Sequence, residues 1–437
     1  MRPARREQHR TSPIKTQTDD ISFGLHPTFS TVRRQSLIST DKLFRGTLLL
    51  APLLLSMGCR RNGFPDVPAG YREFAYVANA GGNTVTILDL VYLRPDRTLA
   101  VGASPVALTP NPKRAEIYVL NSSPDSAAGS VSVIDTSRNA VVATIPTGRD
   151  PVSLSVGPAG KRAYVANAAS DSITVIDLDA RRAIATVSTG SRPESALVAP
   201  DGRSLVVANR RAGTITVYSV AMTGPPLTLR ATFPGCPGAT APVILPDSSK
   251  AFVACSASHQ VMALSLAAAP DSFAARQDSS LLTDRLIALL DVGDGPGYLT
   301  LKPDGGEIFV SNLASNTISE ISTQTNEVGS TYPIGDRPAH GIVSADNGTL
   351  WVSNSGADSL GLYSIDDGRL VSSIRTGNSP DALAFSADEH LLLAADTKSG
   401  DVAVIRTASR LGPSLFTMLP AGNNPVAIAV KASQAKQ

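Results

Sequence analysis

A four-residue motif of the type Tyr-Val-Ala-Asn recurs eight times along the chain, and this repeat constrains the fold more than any other feature. The last residues of successive copies are separated by 42, 46, 42, 46, 57, 42 and 42 residues. The copies occupy residues 76–79, 118–121, 164–167, 206–209, 252–255, 309–312, 351–354 and 393–396. A unit repeated at about this period is typical of a repeat architecture.

Each unit carries further strand-like segments around the motif. Alternating β-branched segments such as 131–135 and 173–177 follow it, as expected for strands with one buried face. A third short strand ends in a Gly-x-x-Pro turn, and a fourth precedes the next motif. The intact turns begin at Gly102, Gly148, Gly190, Gly293, Gly335, Gly377 and Gly422. Four short strands per unit, without a helical period, predict an all-β fold, a single β-propeller with four-stranded antiparallel blades.

The two ends of the repeated region complement each other. The first unit lacks its opening strand, while the chain ends on an unpartnered strand at 426–430. Pairing these ends closes the ring and removes two exposed edges. We therefore expect eight blades over residues 74–431, with seven as the alternative if the units at 206 and 252 merge. Residues 59–73 are expected to form a tether and residues 432–437 a tail, and the propeller is expected to be a monomer.

These motifs resemble the YVTN family of β-propeller repeat proteins, and the resemblance covers about residues 74–431. It implies a secreted or surface-exposed propeller related to the lactonase-like propellers. It also implies seven blades more often than eight, so the expected count departs from the family pattern.

Residues 1–58 have the features of an export leader. Lys42 and Arg45 precede a short apolar run at 48–55, which is too short to span a membrane. Residues 1–36 are longer and more polar than the usual charged segment, and we interpret them as the product of a misassigned start codon. The leader carries nine Lys and Arg against four Asp and Glu, which leaves 30 against 33 for the remainder. A mildly acidic propeller is not expected to bind nucleic acid.

The leader ends in Gly58-Cys59, which resembles a bacterial lipobox. Ser56 departs from the pattern, because Leu is usual at that position. We expect Cys59 to be lipidated and to anchor the exported protein to a membrane of the cell envelope, facing the periplasm or the cell surface. Secretion without lipidation is the alternative.

Known catalytic motifs are absent from the sequence. Beyond the leader the histidines are His259, His340 and His390, and neither zinc spacing nor a Cys-x-x-Cys-His haem motif occurs. We therefore expect no metal and no cofactor. The repeated Asn residues are expected to bond the backbone of the following turn, and Asp89 with its equivalents is also expected to serve in a turn.

A binding site is expected where the repeat is broken. The residue after the Gly-x-x-Pro proline is Val in three blades, but it is acidic in two others. Other charged departures lie close to the same turns, which gather at one mouth of the axial channel. We expect this mouth to hold a polar ligand or a cation, whereas the alternative is a wet surface that tolerates charge. The residues are Arg192, Glu194, Arg337, His340 and Asp381.

Two cysteines break the repeat in one unit. Cys255 replaces the motif Asn, and Cys236 lies in the distorted turn between Gly235 and Pro242. Strand pairing is expected to bring Cys255 opposite about Pro242 and close to Cys236. In an oxidising compartment we predict a disulfide, with an unpaired buried Cys255 as the alternative.

These features favour a non-enzymatic binding or scaffolding module of the cell envelope, with an unknown envelope protein or a small polar ligand as its partner. The alternative is a lactonase-like hydrolase acting at the channel mouth, where only His340 and nearby carboxylates supply acid–base groups. A third class, electron transfer through haem, lacks a ligand set in the sequence.

Lipidation of Cys59 is testable by metabolic labelling with a clickable fatty acid. We expect the label in the wild-type chain and none in Cys59→Ala, because the thioether sulfur is the attachment atom. Labelling that persists in Cys59→Ala would contradict the lipobox interpretation.

Overall fold

The computed structural model describes residues 67–123, 128–409 and 411–434. The leader and Cys59 lie outside these residues. Within them the chain forms eight four-stranded antiparallel sheets, so the predicted eight-bladed all-β propeller is confirmed. No helix in this described part is long and apolar enough to cross a membrane.

Thirty-two strands, β1 to β32 in chain order, build the described sheets. The first sixteen are Tyr71–Asn79, Thr84–Asp89, Arg94–Ala100, Pro105–Pro110, Glu116–Asn121, Ala128–Asp135, Ala140–Arg149, Pro151–Val156, Arg162–Asn167, Ser172–Asp177, Arg182–Ser188, Pro193–Val198, Ser204–Asn209, Thr214–Val220, Leu227–Pro234 and Ala239–Ile244. The second sixteen are Lys250–Cys255, Gln260–Ser265, Arg285–Asp291, Pro296–Leu301, Glu307–Asn312, Thr317–Ser322, Glu327–Pro333, Pro338–Val343, Thr349–Asn354, Ser359–Ser364, Arg369–Arg375, Pro380–Phe385, Leu391–Asp396, Asp401–Arg406, Ser414–Pro420 and Pro425–Gln434.

Blade 1 consists of β32 followed by β1, β2 and β3, and blades 2 to 8 take the remaining strands in successive groups of four. The first strand of each blade contacts the first strands of both neighbouring blades, which closes an inner ring. The last strand completes this ring, since Tyr71 pairs with Gln434 and Phe74 with Lys431. The paired strands extend three residues beyond each end of the expected 74–431 region.

The core lies between blades rather than within one sheet. All six residues of β5 are buried, whereas the outermost strand β3 is largely exposed. One apolar cluster combines Tyr118 and Val131 of blade 2 with Val165 and Ile176 of blade 3. Because one blade cannot cover both faces of its own sheet, each blade depends on its neighbours for stability.

The inter-blade glycine and the motif Asn are contact partners. A Cβ added to Gly148 would lie 2.6 Å from Cγ of Asn167, which is closer than nonbonded carbon atoms approach. The same contact recurs in the pairs Gly102–Asn121, Gly190–Asn209, Gly293–Asn312, Gly335–Asn354 and Gly422–Asn79. The absence of a side chain at the glycine therefore lets the inter-blade turn lie directly on the motif side chain.

The sequence predicted that the motif Asn side chains bond the backbone of the following turn. In the structure the buried side-chain amides bond mainly to residues of the next strand, across the hairpin. Asn79 donates to the hydroxyls of Thr84 and Thr86, at 3.2 and 2.9 Å. Asn209 donates to Thr214 and Thr216 in the same way. The cause is the antiparallel register, which places hydroxyls of the next strand beside the Asn side chain. The Asp series does serve in turns, as the Asp89 carboxylate accepts the amide of Val91.

Blade 5 replaces this contact with a disulfide between Cys236 and Cys255. Cys255 lies opposite Ala239, not opposite Pro242 as expected. The hairpin turn is closed by Leu245 and Lys250, one residue earlier than a turn at 247–250, and a bulge between Thr240 and Val243 shifts the register by one further residue. Cys236 precedes Ala239 by three residues, the place that glycine holds in the other turns. The covalent bond thus occupies the position of the glycine–asparagine contact.

The long spacing in blade 5 contains a short excursion after β18. It includes a helix α1 at Phe273–Gln277 and a 3-10 helix at Ser279–Leu282. Asp284, nearly buried, holds the end of the excursion to Arg230 of blade 4 at 2.7 Å. The excursion is therefore fixed to the outer side of the ring, away from the axis.

The disulfide is expected to stabilise the fold by about 3 kcal/mol, since it closes a loop between residues separated by 19 positions. A Cys59→Ser chain unfolded without reductant should show no reactive thiol, and two after reduction. Reduction should also lower the free energy of unfolding in a denaturant titration. Two reactive thiols before reduction would contradict the pairing.

Blade 8 carries Asp396 at the motif position, and burial raises its pKa from 3.8 to about 7, with a smaller contribution from the charge of Asp401. Neither carboxylate oxygen has a hydrogen-bond partner among the described residues. A carboxyl group whose pKa is raised on folding makes its full contribution to the free energy of unfolding at low pH, where it is protonated. That contribution is lost as the pH rises from about 4 to about 7.

We therefore expect Asp396→Asn to have a larger free energy of unfolding than the wild type above pH 7, by about 1–3 kcal/mol. The difference should shrink towards pH 4, where the wild-type carboxyl is neutral. Denaturant unfolding across this pH range measures it, with the exposed Asp367→Asn as the matched control. Parallel pH curves for wild type and Asp396→Asn would exclude the buried carboxyl as the cause.

Candidate functional site

The inter-blade turns set the entrance to the axial channel. The residue before the turn proline has a positive φ in the described turns, with 52° at Arg192 and 51° at Arg337. The Arg192 carbonyl accepts the amide of Arg210 at 2.8 Å, and the Arg337 carbonyl accepts that of Ser355. Both arginines thus shape the turns through their backbones, and neither lines the two channel cavities described next.

Two adjoining cavities occupy the channel, with volumes of about 700 and 480 Å³. Ala107, Leu108, Val152, Tyr298 and His340 line both, so the cavities share a wall. Glu194 lines the first and Asp381 lines the second. Three of the five predicted residues therefore reach the channel.

His340 and Asp381 form the central pair of this site. Nδ1 of His340 lies 2.7 Å from Oδ1 of Asp381, with 40% and 30% of the two side chains exposed. A β-bulge at the start of each inner strand sets two residues against one on the neighbouring strand, and His340 and Asp381 occupy such bulges in β24 and β28. Bulges of this kind re-aim side chains, and here they direct both into the channel.

The carboxylate of Asp381 at Nδ1 fixes the tautomer and the orientation of the His340 ring. When the ring is neutral, the Nδ1–H donates to Asp381 and Nε2 retains a lone pair. No hydrogen bond to Nε2 is formed by the described residues. The pair is therefore arranged as a general base supported by a carboxylate.

Tyr298 of β20 completes the polar side of the channel. Its ring centroid lies 4.1 Å from that of His340. Burial raises the pKa of Tyr298 to about 12, and the charges of Asp381 and Glu194 add to the rise. The phenol is therefore a hydrogen-bond donor at neutral pH.

Glu194 forms an ion pair with Arg210, whose Nη1 lies 3.3 Å from Oε1 of the carboxylate. Arg210 directly follows the motif Asn of blade 4, and its amide is held by the turn at Arg192. The pair brings one guanidinium to the channel wall. It does not contact the His340–Asp381 pair.

Sequence reasoning missed Tyr298 and Arg210. Tyr298 is two residues after the turn proline, where Ala or Ser stands in six blades, whereas the predicted acidic site residues lie directly after the proline. A comparison of the second position across blades contains this signal. Arg210 carried no such signal, since it lies in a turn whose distance from the axis depends on the folded ring.

No group of three or more His, Cys, Asp or Glu side chains is arranged to hold a metal ion within the described ranges. His340, Asp381 and Tyr298 together offer groups for acid–base chemistry.

Residues 84–328 and 330–426 match the sequence profile of the family described as "Lactonase, 7-bladed beta-propeller". The match spans most of the ring, although the described part of this chain has eight sheets rather than seven. No curated protein sequence matches the chain.

Several solved structures share the fold. One from Bacteroides uniformis, described as a "putative 6-phosphogluconolactonase", is 17% identical with a TM-score of 0.57, over 83% of this chain and 100% of that one. Another so described, from Bacteroides fragilis, is 18% identical with a TM-score of 0.55, over 84% and 100%. Dihydro-heme d1 dehydrogenase NirN is 17% identical with a TM-score of 0.65, over 84% and 76%. At these identities the likeness shows the fold alone.

Proposed function

The chain belongs to the lactonase family of β-propellers, and we propose that it is a hydrolase that opens a lactone ring inside its axial channel. The observation that carries this proposal is the His340–Asp381 pair, with Nδ1 and Oδ1 2.7 Å apart in a cavity large enough for a small molecule. Lactone hydrolysis needs a base to activate water and an acid for the leaving oxygen, and one imidazole supplies both in turn.

In the first step, Nε2 of His340 takes a proton from a water molecule whose oxygen bonds to the lactone carbonyl carbon. Asp381 accepts the Nδ1–H and stabilises the imidazolium that forms. The carbonyl oxygen becomes an oxyanion. The ring C–O bond then breaks, and Nε2–H protonates the leaving alkoxide, so one water is consumed and a hydroxy acid is released.

The oxyanion needs hydrogen-bond donors already in place. Tyr298 is protonated at neutral pH and adjoins the imidazole, so its hydroxyl serves as this donor. Arg210 adds a positive charge on the same wall of the larger cavity, although it is shared with Glu194.

The family match favours this hydrolase over the non-enzymatic scaffold expected from the sequence. We also propose that the enzyme is exported and anchored through Cys59, and that its repeats are of the YVTN type. Both proposals rest on the sequence motifs alone.

We expect His340→Gln and Asp381→Asn to lower kcat/KM for lactones by about 10²–10⁴-fold. The first removes the base, and the second removes the acceptor that orients it. The measurement is acid release on a panel of alkyl, aryl and sugar lactones with the full-length chain.

His259→Gln is the matched control, because His259 also forms an Nδ1–carboxylate contact, 2.9 Å from Asp294, but on the exposed rim. Its activity should equal that of the wild type. If His340→Gln retains wild-type activity while folded, or if the wild type hydrolyses nothing on the panel, the proposed function is wrong.

A further inference from the structure

The channel wall opposite His340 is mainly apolar, with Thr109 and Ser153 as its polar residues. Blades 1, 2 and 3 are neighbours in the ring, and they contribute Val426, Leu108 and Val152 to the cavities. In a ring of eight, blade 7, which carries His340, faces blade 3, which carries Val152. A molecule held at the imidazole therefore presents its far side to hydrocarbon.

The charges in the channel do not suit an anionic ligand. Among the described lining residues, Glu194 and Asp381 are acidic and Arg210 is the one guanidinium or ammonium group. Arg210 is already paired with Glu194 and is about half exposed, at 47% of its side chain. Phosphate recognition usually relies on uncompensated Arg or Lys groups, so a phosphorylated substrate would meet net negative charge here.

We propose that the substrate is an uncharged lactone carrying an alkyl or aryl substituent, and that Val152 helps set this specificity by packing against the substituent. The inference rests on the proposed hydrolysis at His340. The lactone ring lies at His340 and Tyr298, and the apolar substituent crosses the axis to Val152 and Leu108, which line both cavities.

The experiment compares δ-valerolactone, δ-octalactone and δ-decalactone with 6-phosphogluconolactone as substrates of the full-length chain. KM should fall about three-fold for each methylene buried against the apolar wall, with kcat nearly constant. Hydrolysis of the phosphorylated lactone should stay at the rate of the buffer.

The variant Val152→Thr keeps the side-chain shape but replaces one methyl group of the apolar wall with a hydroxyl. It should raise the KM for δ-decalactone several-fold, leave kcat unchanged and hardly affect δ-valerolactone. Val371→Thr, on the exposed outer strand β27, is the matched control and should change neither constant. A purely structural role for Val152 would instead affect all substrates alike.

Preference for 6-phosphogluconolactone over the alkyl series would overturn this inference while leaving lactone hydrolysis intact. If no lactone is hydrolysed, binding to the wild type is measured by calorimetry. Affinity that rises with alkyl length and falls in Val152→Thr upholds the ligand class even though the hydrolase proposal fails. Binding that is absent, or independent of chain length, overturns the inference as well.

Discussion

The contact between an inter-blade glycine and a buried polar side chain determines how one blade follows another. At Gly148 the turn lies so close to Asn167 that no Cβ fits between them, and the Gly148 amide donates to the Asn oxygen at 3.0 Å. The Asn amide group meanwhile bonds to hydroxyls of the next strand. In blade 3, Asn167 therefore ties the turn, the second strand and the third strand together, and the inner strand enters the ring at a fixed place.

Two described blades keep this geometry with different chemistry. In blade 5, Cys236 and Cys255 make the contact covalent, and residue 262, where blades 1, 2, 3, 4 and 6 place a hydroxyl, is the apolar Met262 in the core. In blade 8, Asp396 lies on Gly377 with its carboxylate out of water. The repeat thus conserves a position rather than a residue type, which explains how the ring tolerates sequence variation between blades.

The inner strands leave room for function because their first residues bulge out of the ladder. Residues in the bulges line the channel and differ from blade to blade, and the aliphatic ones at Val106 and Val152 also pack against the clusters between blades. In blades 1 to 3 they are aliphatic apart from Ser153, while in blades 4, 6, 7 and 8 they include Glu194, Tyr298, His340 and Asp381. A nearly symmetric scaffold thereby carries a two-sided channel, polar on one wall and apolar on the other.

Much of the fold follows from local patterns. Asn79 of the first motif and Gly422 of the last turn lie at opposite ends of the repeated region, and together they indicate the blade that closes the ring. The register in blade 5 does not follow, because the place of the hairpin turn and the bulge before Val243 both depend on backbone geometry that no single residue specifies. In the site, His340 and Asp381 stood out as departures from the repeat. Arg192 and Arg337 stood out equally, although their charges are incidental to a backbone role, and Arg210 reaches the channel only through the folded turn.

The central claim is that the departures from symmetry form a lactone site on the axis. A crystal structure of the protein soaked with δ-decalactam, which resists hydrolysis, tests it most directly. The account predicts the lactam carbonyl within hydrogen-bond reach of Tyr298, the ring beside His340 and the pentyl chain against Val152 and Leu108. A lactam bound away from the axis, or an axial channel without ligand at saturating concentration, would contradict it.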